Sequence, residues 1–283
     1  MDPGVVLPPH VAKVPLKTVY IPIDWSKLPG GNIWSPNGAL AKALDDALAA
    51  KARGQKCALE VRAGAAAFSK ALSCEGWHCC RQDISYSAEF DMEADIWLSW
   101  LVYTCRIRLW DYIHVATECA TWSHAAKPAY RAVGPCILGF AGMPEKKTAK
   151  ASHANMQAAS TWCVLAVCEK YAIKVSLENP LPSMLFKHPG AARFFSSDSW
   201  TFTVLHYCKY GRRFRKATAF LSNAVFMPQL GTKCDHRKHS EILSGTAWCT
   251  VQKKWVPKTK KGNCYPPKLL KKWIALIVAN LGH

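Results

Sequence analysis

The predicted fold depends most on residues 57–83, CALEVRAGAAAFSKALSCEGWHCCRQD. The apolar run over 57–61 predicts a buried strand, which is followed by small residues, a helix that begins near Phe68 and a second strand over 77–83. The alternation continues with a helical pattern over 98–109, a strand over 112–116, a helix over 154–170 and a strand over 172–177. It predicts an α/β fold with a Rossmann-like, mainly parallel sheet that is covered by helices on both faces.

Three parts of the chain are predicted from its composition. Residues 1–35 are rich in proline, glycine and tryptophan and are expected to form an irregular arm. Residues 36–205 are expected to form the Rossmann-like domain, which opens with a helix capped by Ser35 and ended near Gly54. Residues 206–283 are basic and rich in aromatic residues, cysteine and histidine, and are expected to form a small basic lobe and a closing helix.

Size and charge favour a globular protein with a polyanionic partner. The chain has 283 residues, of which 50% are hydrophobic, so it can bury a sizeable core. Its 37 lysine and arginine residues outnumber 19 acidic residues, which gives a formal net charge of +18. An excess of this size favours nucleic acid as the partner. The alternative is a basic protein that docks on an acidic surface.

Cysteine usage favours a reducing compartment. The 13 cysteines are odd in number without the spacing of a disulfide framework, and neither end of the sequence resembles a secretory signal. Most thiols are therefore expected to be small buried groups of an intracellular protein, with nucleus, cytoplasm and organelle all left open. No apolar run approaches the roughly 20 residues that span a bilayer, so no membrane partner is expected.

Small residues follow the first predicted strand, at the place where α/β sheets bind ligands. Ala63, Gly64 and Ala66 lie between that strand and the next helix, and small side chains let the backbone approach a cofactor closely. Asp83 ends the second predicted strand, where a carboxylate can hold a ribose hydroxyl. These residues predict a cofactor pocket; the alternative is a helix start that is only tightly packed.

Three later segments carry polar groups suited to chemistry. Cys119 follows a predicted strand in ATECATWSHA, and its alternative role is that of a buried core cysteine. Glu178 begins the sequence ENP after another strand, and it either works in a pocket or caps a helix beside Pro180. Arg213 and Arg215 lie in GRRFRK and suit a phosphate group, bound specifically or non-specifically.

Together and in this order, these segments resemble the motifs of cytosine-5 DNA methyltransferases, above all the compact versions encoded by some phages and protists. The resemblance runs from about residue 59 to the end of the chain and includes NCYPPKL over residues 263–269. It implies that the cofactor is S-adenosylmethionine. The residues implied to bind it are Ala63, Gly64, Ala66, Asp83 and Asn263.

The resemblance also implies catalytic roles. In that family a cysteine attacks carbon 6 of the base, and the matching residue here is Cys119. A glutamate holds and protonates ring nitrogen 3, which matches Glu178. Two arginines clamp the target phosphate and polarise the carbonyl group at position 2, which matches Arg213 and Arg215. The implied substrate is DNA, with RNA as the second choice.

Several positions depart from the family pattern. Arg62 replaces an aromatic residue that lies against the cofactor, and Gly211 stands where the family has glutamine. Thr117 and Glu118 replace the two prolines before the nucleophile, and a carboxylate beside a thiol disfavours the thiolate. A second hypothesis is therefore an inactive protein of this fold that binds nucleic acid or serves as a structural subunit of a larger complex, such as a ribonucleoprotein. Binding of the methyl donor distinguishes the two hypotheses.

A separate cluster contains residue types that bind metals. Cys234, His236 and His239 are closely spaced, and Cys208 is the candidate fourth ligand. Two thiolates and two imidazoles suit a tetrahedral zinc ion. The alternative is a set of surface histidines in a basic loop.

Overall fold

The computed structural model describes residues 38–249, apart from residues 125 and 127, and residues 253–282. The predicted arm over residues 1–35, together with Ser35 as a helix cap, lies outside the described residues. The first described helix follows Gly38 and ends before Gly54, whose positive φ of 76° suits the turn that leaves a helix.

A six-stranded sheet forms the centre of the fold. Its strands are β1 Cys57–Val61, β2 His78–Gln82, β3 Tyr112–Val115, β4 Lys174–Pro180, β5 Thr201–His206 and β6 Ala217–Ser222. Their order is β2-β1-β3-β4-β6-β5. The strands β1 to β4 pair in parallel, and β6 is antiparallel to both of its neighbours. All five residues of β1 are buried, as expected for a strand covered on both faces.

Helices cover both faces of this sheet. They are α1 Ala39–Ala52, α2 Ala67–Ser73, α3 Asp95–Arg106, α4 Glu145–Lys170, α5 Ala192–Phe195 and α6 Pro267–Leu281. The core on one face includes Trp97 and Trp100 of α3, and the core on the other includes Phe68 of α2 and Trp273 of α6. The predicted α/β class, with a mainly parallel Rossmann-like sheet, is confirmed. Within the described residues, no helix is both long and apolar enough to cross a membrane.

Two predicted element bounds are corrected by the structure. Helix α4 begins at Glu145, well before the predicted start at residue 154, because its first turns are polar and carry no apolar stripe. Strand β4 continues through Glu178 and Asn179 to Pro180, whereas the sequence placed these residues in a loop after the strand. The candidate acid is therefore held by sheet hydrogen bonds.

The predicted domain boundary after residue 205 does not separate two bodies. Strand β6 belongs to the supposed lobe by sequence, but it lies inside the main sheet and pairs with β4 and β5. Its residues 218–222 are buried, so the strand contributes to the core and cannot fold apart from it. Outside the sheet, the C-terminal region contains a two-stranded ribbon of β7 Thr246–Cys249 and β8 Lys254–Pro257.

Candidate functional site

The strand order places a crevice at the carboxyl ends of β1 and β3. From β1 the chain moves to β2 on one side, whereas β3 lies on the other side of β1 and leads on to β4. Such a reversal in an open α/β sheet is where ligands bind, beyond the carboxyl ends of the strands. The loop over residues 62–66 and the loop after Val115 both begin at this edge.

The loop over residues 62–66 turns sharply between β1 and α2. Three of its residues have left-handed backbone conformations: Arg62 with φ 60°, Gly64 with φ 48° and Ala66 with φ 52°. The left-handed conformation is unfavourable for residues other than glycine, because their Cβ atom meets the backbone. Residues held in this conformation cluster at functional sites. Ala63 donates a hydrogen bond to the Gln82 carbonyl over 3.0 Å, which anchors the loop to the end of β2. A Cβ atom added at Gly64 would meet no atom within 4 Å, so the backbone there has open space above it.

A buried carboxylate occupies the start of helix α2. The Glu60 Oε2 atom accepts a 2.9 Å hydrogen bond from the Ser69 amide. Burial raises the pKa of Glu60, and hydrogen bonds from Ser69 and Phe68 oppose that shift. Dinucleotide cofactors place their pyrophosphate at this helix start, where a resident carboxylate would repel it. The sequence pattern of an apolar strand gave no signal for this buried position of Glu60.

Asp83 closes the loop from the neighbouring strand end. Its Oδ2 atom accepts a hydrogen bond from the Gly64 amide over 3.1 Å, and Oδ1 accepts from the Ser85 amide and hydroxyl over 3.0 and 2.7 Å. Burial opposes ionisation of Asp83, but these hydrogen bonds outweigh it and leave its pKa below the ordinary value. Because each carboxylate oxygen has two lone pairs, Oδ2 can still accept a ligand hydroxyl. The structure thus brings Asp83 together with the predicted cofactor loop.

Cys119 and Glu178 lie at the carboxyl ends of adjacent parallel strands. Cys119 lies in the loop after β3, and Glu178 lies near the end of β4 with 8% of its surface exposed. Burial raises the pKa of the half-buried Cys119 thiol, the carboxylates of Glu178 and Glu118 raise it further, and the Lys216 ammonium opposes them. The thiol is therefore protonated at neutral pH in the free protein. Its pKa depends on Lys216, which also forms an ion pair with Glu178.

Lys216 is a cation of this site that the sequence prediction did not nominate. Its Nζ atom lies 3.6 Å from Glu178 Oε1 and donates a 3.0 Å hydrogen bond to the Gly262 carbonyl. Burial alone would lower the pKa of Lys216, but the charges of Glu178, Tyr207 and Cys119 outweigh it and raise the pKa. The residue therefore stays charged beside the candidate nucleophile and acid. Its only sequence signal is membership of the basic run RRFRKAT.

Arg213 and Arg215 lie on the surface, in the segment that leads to Lys216. Both are exposed, and the backbone carbonyl of Arg213 accepts a hydrogen bond from the Glu241 amide. Arg215 lies near enough to His206 for its charge to lower the pKa of that imidazole, after the larger effect of burial. The cation in contact with the candidate acid is Lys216. The exposed guanidinium groups remain available to a ligand such as a phosphate.

Two buried acceptor atoms at the end of β4 accept no hydrogen bond from the described residues, although the Lys216 ammonium forms an ion pair with one of them, Glu178 Oε1. Neither Glu178 Oε1 nor Asn179 Oδ1 accepts a hydrogen bond from any residue that the structure describes. The Asn179 amide nitrogen donates to the Thr117 carbonyl over 2.9 Å, so this side chain is fixed against the nucleophile loop. Buried acceptors in proteins are nearly always paired, so these atoms favour a ligand that brings donors.

The segment before α6 crosses the sheet edge between the two halves of the site. The Tyr265 hydroxyl is hydrogen-bonded to His114 Nε2 over 2.8 Å. Burial raises the pKa of Tyr265 well above its ordinary value, and the charges of Glu178 and Glu60 add to this effect. Tyr265 therefore lies between the acid at β4 and the carboxylate at β1. Asn263, the predicted cofactor contact from this segment, is exposed two residues earlier.

A buried arginine fixes the loop that carries the candidate nucleophile. The Arg131 guanidinium lies 3.6 Å from the centre of the Trp122 ring and is 2% exposed. It donates hydrogen bonds to the carbonyls of Thr121 and Ile137 over 3.1 and 3.0 Å, and to Asn155 Oδ1 over 2.6 Å. A single side chain thus holds the segment after β3 against helix α4. Sequence reasoning missed it because an isolated arginine in a loop usually lies on the surface.

We expect Arg131→Met to lower the free energy of unfolding by about 2–4 kcal/mol, because several buried acceptors would lose their donor. Urea unfolding followed by circular dichroism measures the change. Arg193→Met is the matched control, because Arg193 forms a half-exposed ion pair with Glu169 and its loss should cost about 1 kcal/mol or less. Equal effects of the two substitutions would contradict a structural role for the buried guanidinium.

The structure also brings together the four predicted metal-binding residues. Their ligand atoms all lie within 4.8 Å of one another, with Cys208 buried and Cys234 and His239 half-buried. Cys208 comes from the turn after β5, whereas the other three come from the segment before β7. The cluster is separate from the residues around Glu178.

Comparisons with known proteins do not assign a family. No protein-family profile matches this sequence, and no curated protein matches it. Among solved structures, EhMeth, a methyltransferase of Entamoeba histolytica, is similar with 11% sequence identity and a TM-score of 0.34. The match covers 66% of this chain and 57% of that chain, so it spans little more than half of the Entamoeba protein. A likeness of this degree carries no argument about activity, which depends on the site.

Proposed function

We propose that this protein is an S-adenosylmethionine-dependent methyltransferase that modifies carbon 5 of cytosine in nucleic acid, with DNA favoured over RNA. The observation that carries the proposal is that Cys119 and Glu178 follow neighbouring parallel strands to the same sheet edge, where the Glu178 charge raises the pKa of the Cys119 thiol. A nucleophile and an acid on the same sheet edge can contact one pyrimidine ring from different sides. The preference for DNA rests on the sequence resemblance.

The chemistry divides between these side chains. The Cys119 thiol gives its proton, directly or through solvent, to the Glu178 carboxylate, and the sulfur forms a bond to carbon 6 of the base. The protonated Glu178 then shares this proton with ring nitrogen 3, which takes up the electrons displaced through the ring. Carbon 5 then carries the electron density needed to take a methyl group. A water molecule takes the proton from carbon 5, and the sulfur leaves with the electrons of the sulfur–carbon bond, which restores the aromatic ring. Lys216 favours the thiolate electrostatically and opposes the effect of Glu178 and Glu118.

The loop after β1 fits a methyl donor of this class. S-adenosylmethionine, when bound, supplies the methyl group as an electrophile and carries a positive charge without phosphate. Glu60, which accepts a hydrogen bond from the Ser69 amide at the start of α2, would favour a donor without phosphate when ionised, and Asp83 Oδ2 retains a lone pair for a ribose hydroxyl. Ala63, Gly64 and Ala66 would line the pocket, with Asn263 reaching it from the segment before α6.

Charge and exposed aromatic rings support nucleic acid as the substrate. The net charge of +18 includes the exposed Arg213 and Arg215 beside the site. On the ribbon of β7 and β8, Trp248 and Trp255 pair across the strands with ring centres 5.9 Å apart, and their side chains are 53% and 65% exposed. Exposed aromatic rings in a basic region serve as platforms on which bases stack.

Calorimetry with S-adenosylmethionine tests this proposal at its first step. We expect the unaltered protein to bind the donor and Asp83→Ala to bind it roughly 10- to 100-fold more weakly, because a charged hydrogen bond is lost. Asp198→Ala is the matched control, since Asp198 is exposed and far from the loop in sequence. The affinity of this variant for S-adenosylmethionine should equal that of the unaltered protein. Equal affinity of Asp83→Ala and the unaltered protein would place the donor elsewhere.

A second candidate function is a nucleic-acid-binding or structural subunit that has lost catalysis, within a larger complex such as a ribonucleoprotein. It is favoured by the raised pKa of Cys119, to which burial, Glu178 and Glu118 contribute. The same calorimetry separates the two candidates. Nucleic-acid binding without any binding of S-adenosylmethionine would support the subunit and exclude the enzyme.

A further inference from the structure

We propose that Cys208, Cys234, His236 and His239 bind a zinc ion that fastens the basic C-terminal segment to the sheet. The proposal stands independently of the methyltransferase activity. Zinc with bonds of about 2.3 Å to sulfur and about 2.0–2.1 Å to nitrogen holds tetrahedral ligands roughly 3.3–3.8 Å apart. The Cys234 sulfur lies 3.4 Å from His236 Nδ1 and 3.3 Å from His239 Nε2, and all four ligand atoms fall within 4.8 Å of one another.

The ligand types identify the metal and its role. Two sulfurs and two imidazole nitrogens in a compact set are typical of tetrahedral zinc, whereas calcium and magnesium prefer oxygen. Four protein ligands complete a tetrahedral shell and leave no open position for substrate or water, so the site is structural.

The segment that supplies three of the ligands has no regular secondary structure. Residues 231–245 contain no helix or strand in the described structure, and their contacts with the rest of the fold include isolated β-bridges at Thr232 and Glu241 and the hydrogen bond from the Cys234 amide to His206. Asp235 pairs with Lys209 of the turn after β5, so the segment and this turn already face each other. A metal ion bound between them would add stability to this contact.

The zinc ion would also brace the catalytic side of the sheet. Cys208 lies in the turn after β5, and Lys216 lies immediately before β6. The zinc ligand and the cation that pairs with Glu178 therefore lie near opposite ends of the segment that joins β5 to β6. Fixing Cys208 and the facing segment limits the movement of this connection. Lys216 would then keep its position 3.6 Å from Glu178.

Metal analysis of the full-length protein tests the proposal. We expect inductively coupled plasma mass spectrometry to find one zinc ion per chain in the unaltered protein. The control variant Cys74→Ser should contain the same amount, because Cys74 is an exposed cysteine outside the cluster. Cys234→Ser and His239→Ala should each lose most of the zinc. Chelation should lower the melting temperature by several degrees and make two more thiols reactive per chain.

Cobalt substitution keeps the test decisive even where a variant fails to fold. Titration of the metal-free unaltered protein with cobalt should give the visible absorption of tetrahedral cobalt and a near-ultraviolet thiolate-to-cobalt band, both saturating at one ion per chain. Absence of these bands, zinc content unchanged in Cys234→Ser, or a disulfide between Cys208 and Cys234 in the purified protein would each overturn the proposal.

Discussion

Cys119→Ala should abolish methyl transfer while leaving the fold intact. The expected loss is on the order of 1,000-fold or more, because no other group can form the bond to carbon 6 that activates carbon 5. The side chain is half-buried in a loop, so its replacement removes little packing. Transfer of tritiated methyl groups from S-adenosylmethionine to DNA and to RNA measures the effect, and circular dichroism checks the fold.

Cys136→Ala is the matched control for this substitution, since Cys136 is also half-buried and lies in the same long connection after β3. We expect it to retain full activity. Equal transfer by Cys119→Ala and the unaltered protein would exclude Cys119 as the nucleophile.

The rate of methyl transfer by the unaltered protein should also increase as the pH rises through neutrality. Burial and the carboxylates raise the pKa of Cys119 and keep the thiol protonated, so a higher pH increases the fraction of reactive thiolate.

Glu178→Gln should reduce methyl transfer by roughly 100- to 10,000-fold, the range of a general acid that acts in the transition state. Glutamine retains an acceptor oxygen for the amino group of cytosine but has no proton to share with ring nitrogen 3. Base binding should therefore survive better than turnover. Single-turnover rates compared with the affinity for cytosine-containing DNA measure that difference.

Loss of the Glu178 carboxylate also leaves Lys216 buried without its counter-charge. We expect Glu178→Gln to lower the free energy of unfolding by about 2–4 kcal/mol, because the pair is largely shielded from water. Glu169→Gln is the matched control, since it removes the partner of Arg193 on the opposite face of the sheet and should leave transfer unchanged. If Glu178→Gln only destabilises the protein and retains full turnover, Glu178 is a structural residue.

Much of the fold was predictable because it depends on local sequence patterns. The apolar run over Cys57–Val61 is a strand with the predicted bounds, and the strand–helix alternation around it gives the mainly parallel sheet. Parallel strands end on the same edge, so the topology alone predicts that loops after β3 and β4 lie near each other. That rule is the basis of the prediction that Cys119 and Glu178 face one cleft, and the effect of the Glu178 charge on the pKa of Cys119 agrees with it.

The remaining features depend on contacts between distant parts of the chain. Strand β6 enters the sheet between β4 and β5, and no local pattern distinguishes that insertion from a separate lobe. This insertion brings Lys216 to Glu178, so the cation was missed together with the strand pairing. The roles of Glu60 and Arg131 escaped prediction for a similar reason, because a charged residue in a strand or loop is buried only when tertiary partners are available.

The most direct test of the account is covalent capture of the base by Cys119. With DNA in which fluorine replaces the hydrogen on carbon 5 of cytosine, no proton can leave that carbon, and the bond between sulfur and carbon 6 should persist. The account predicts a denaturation-resistant complex that requires S-adenosylmethionine and whose mass shift maps to the peptide that contains Cys119. Failure of the donor-bound protein to form this complex, or an equal complex with Cys119→Ala, would contradict it.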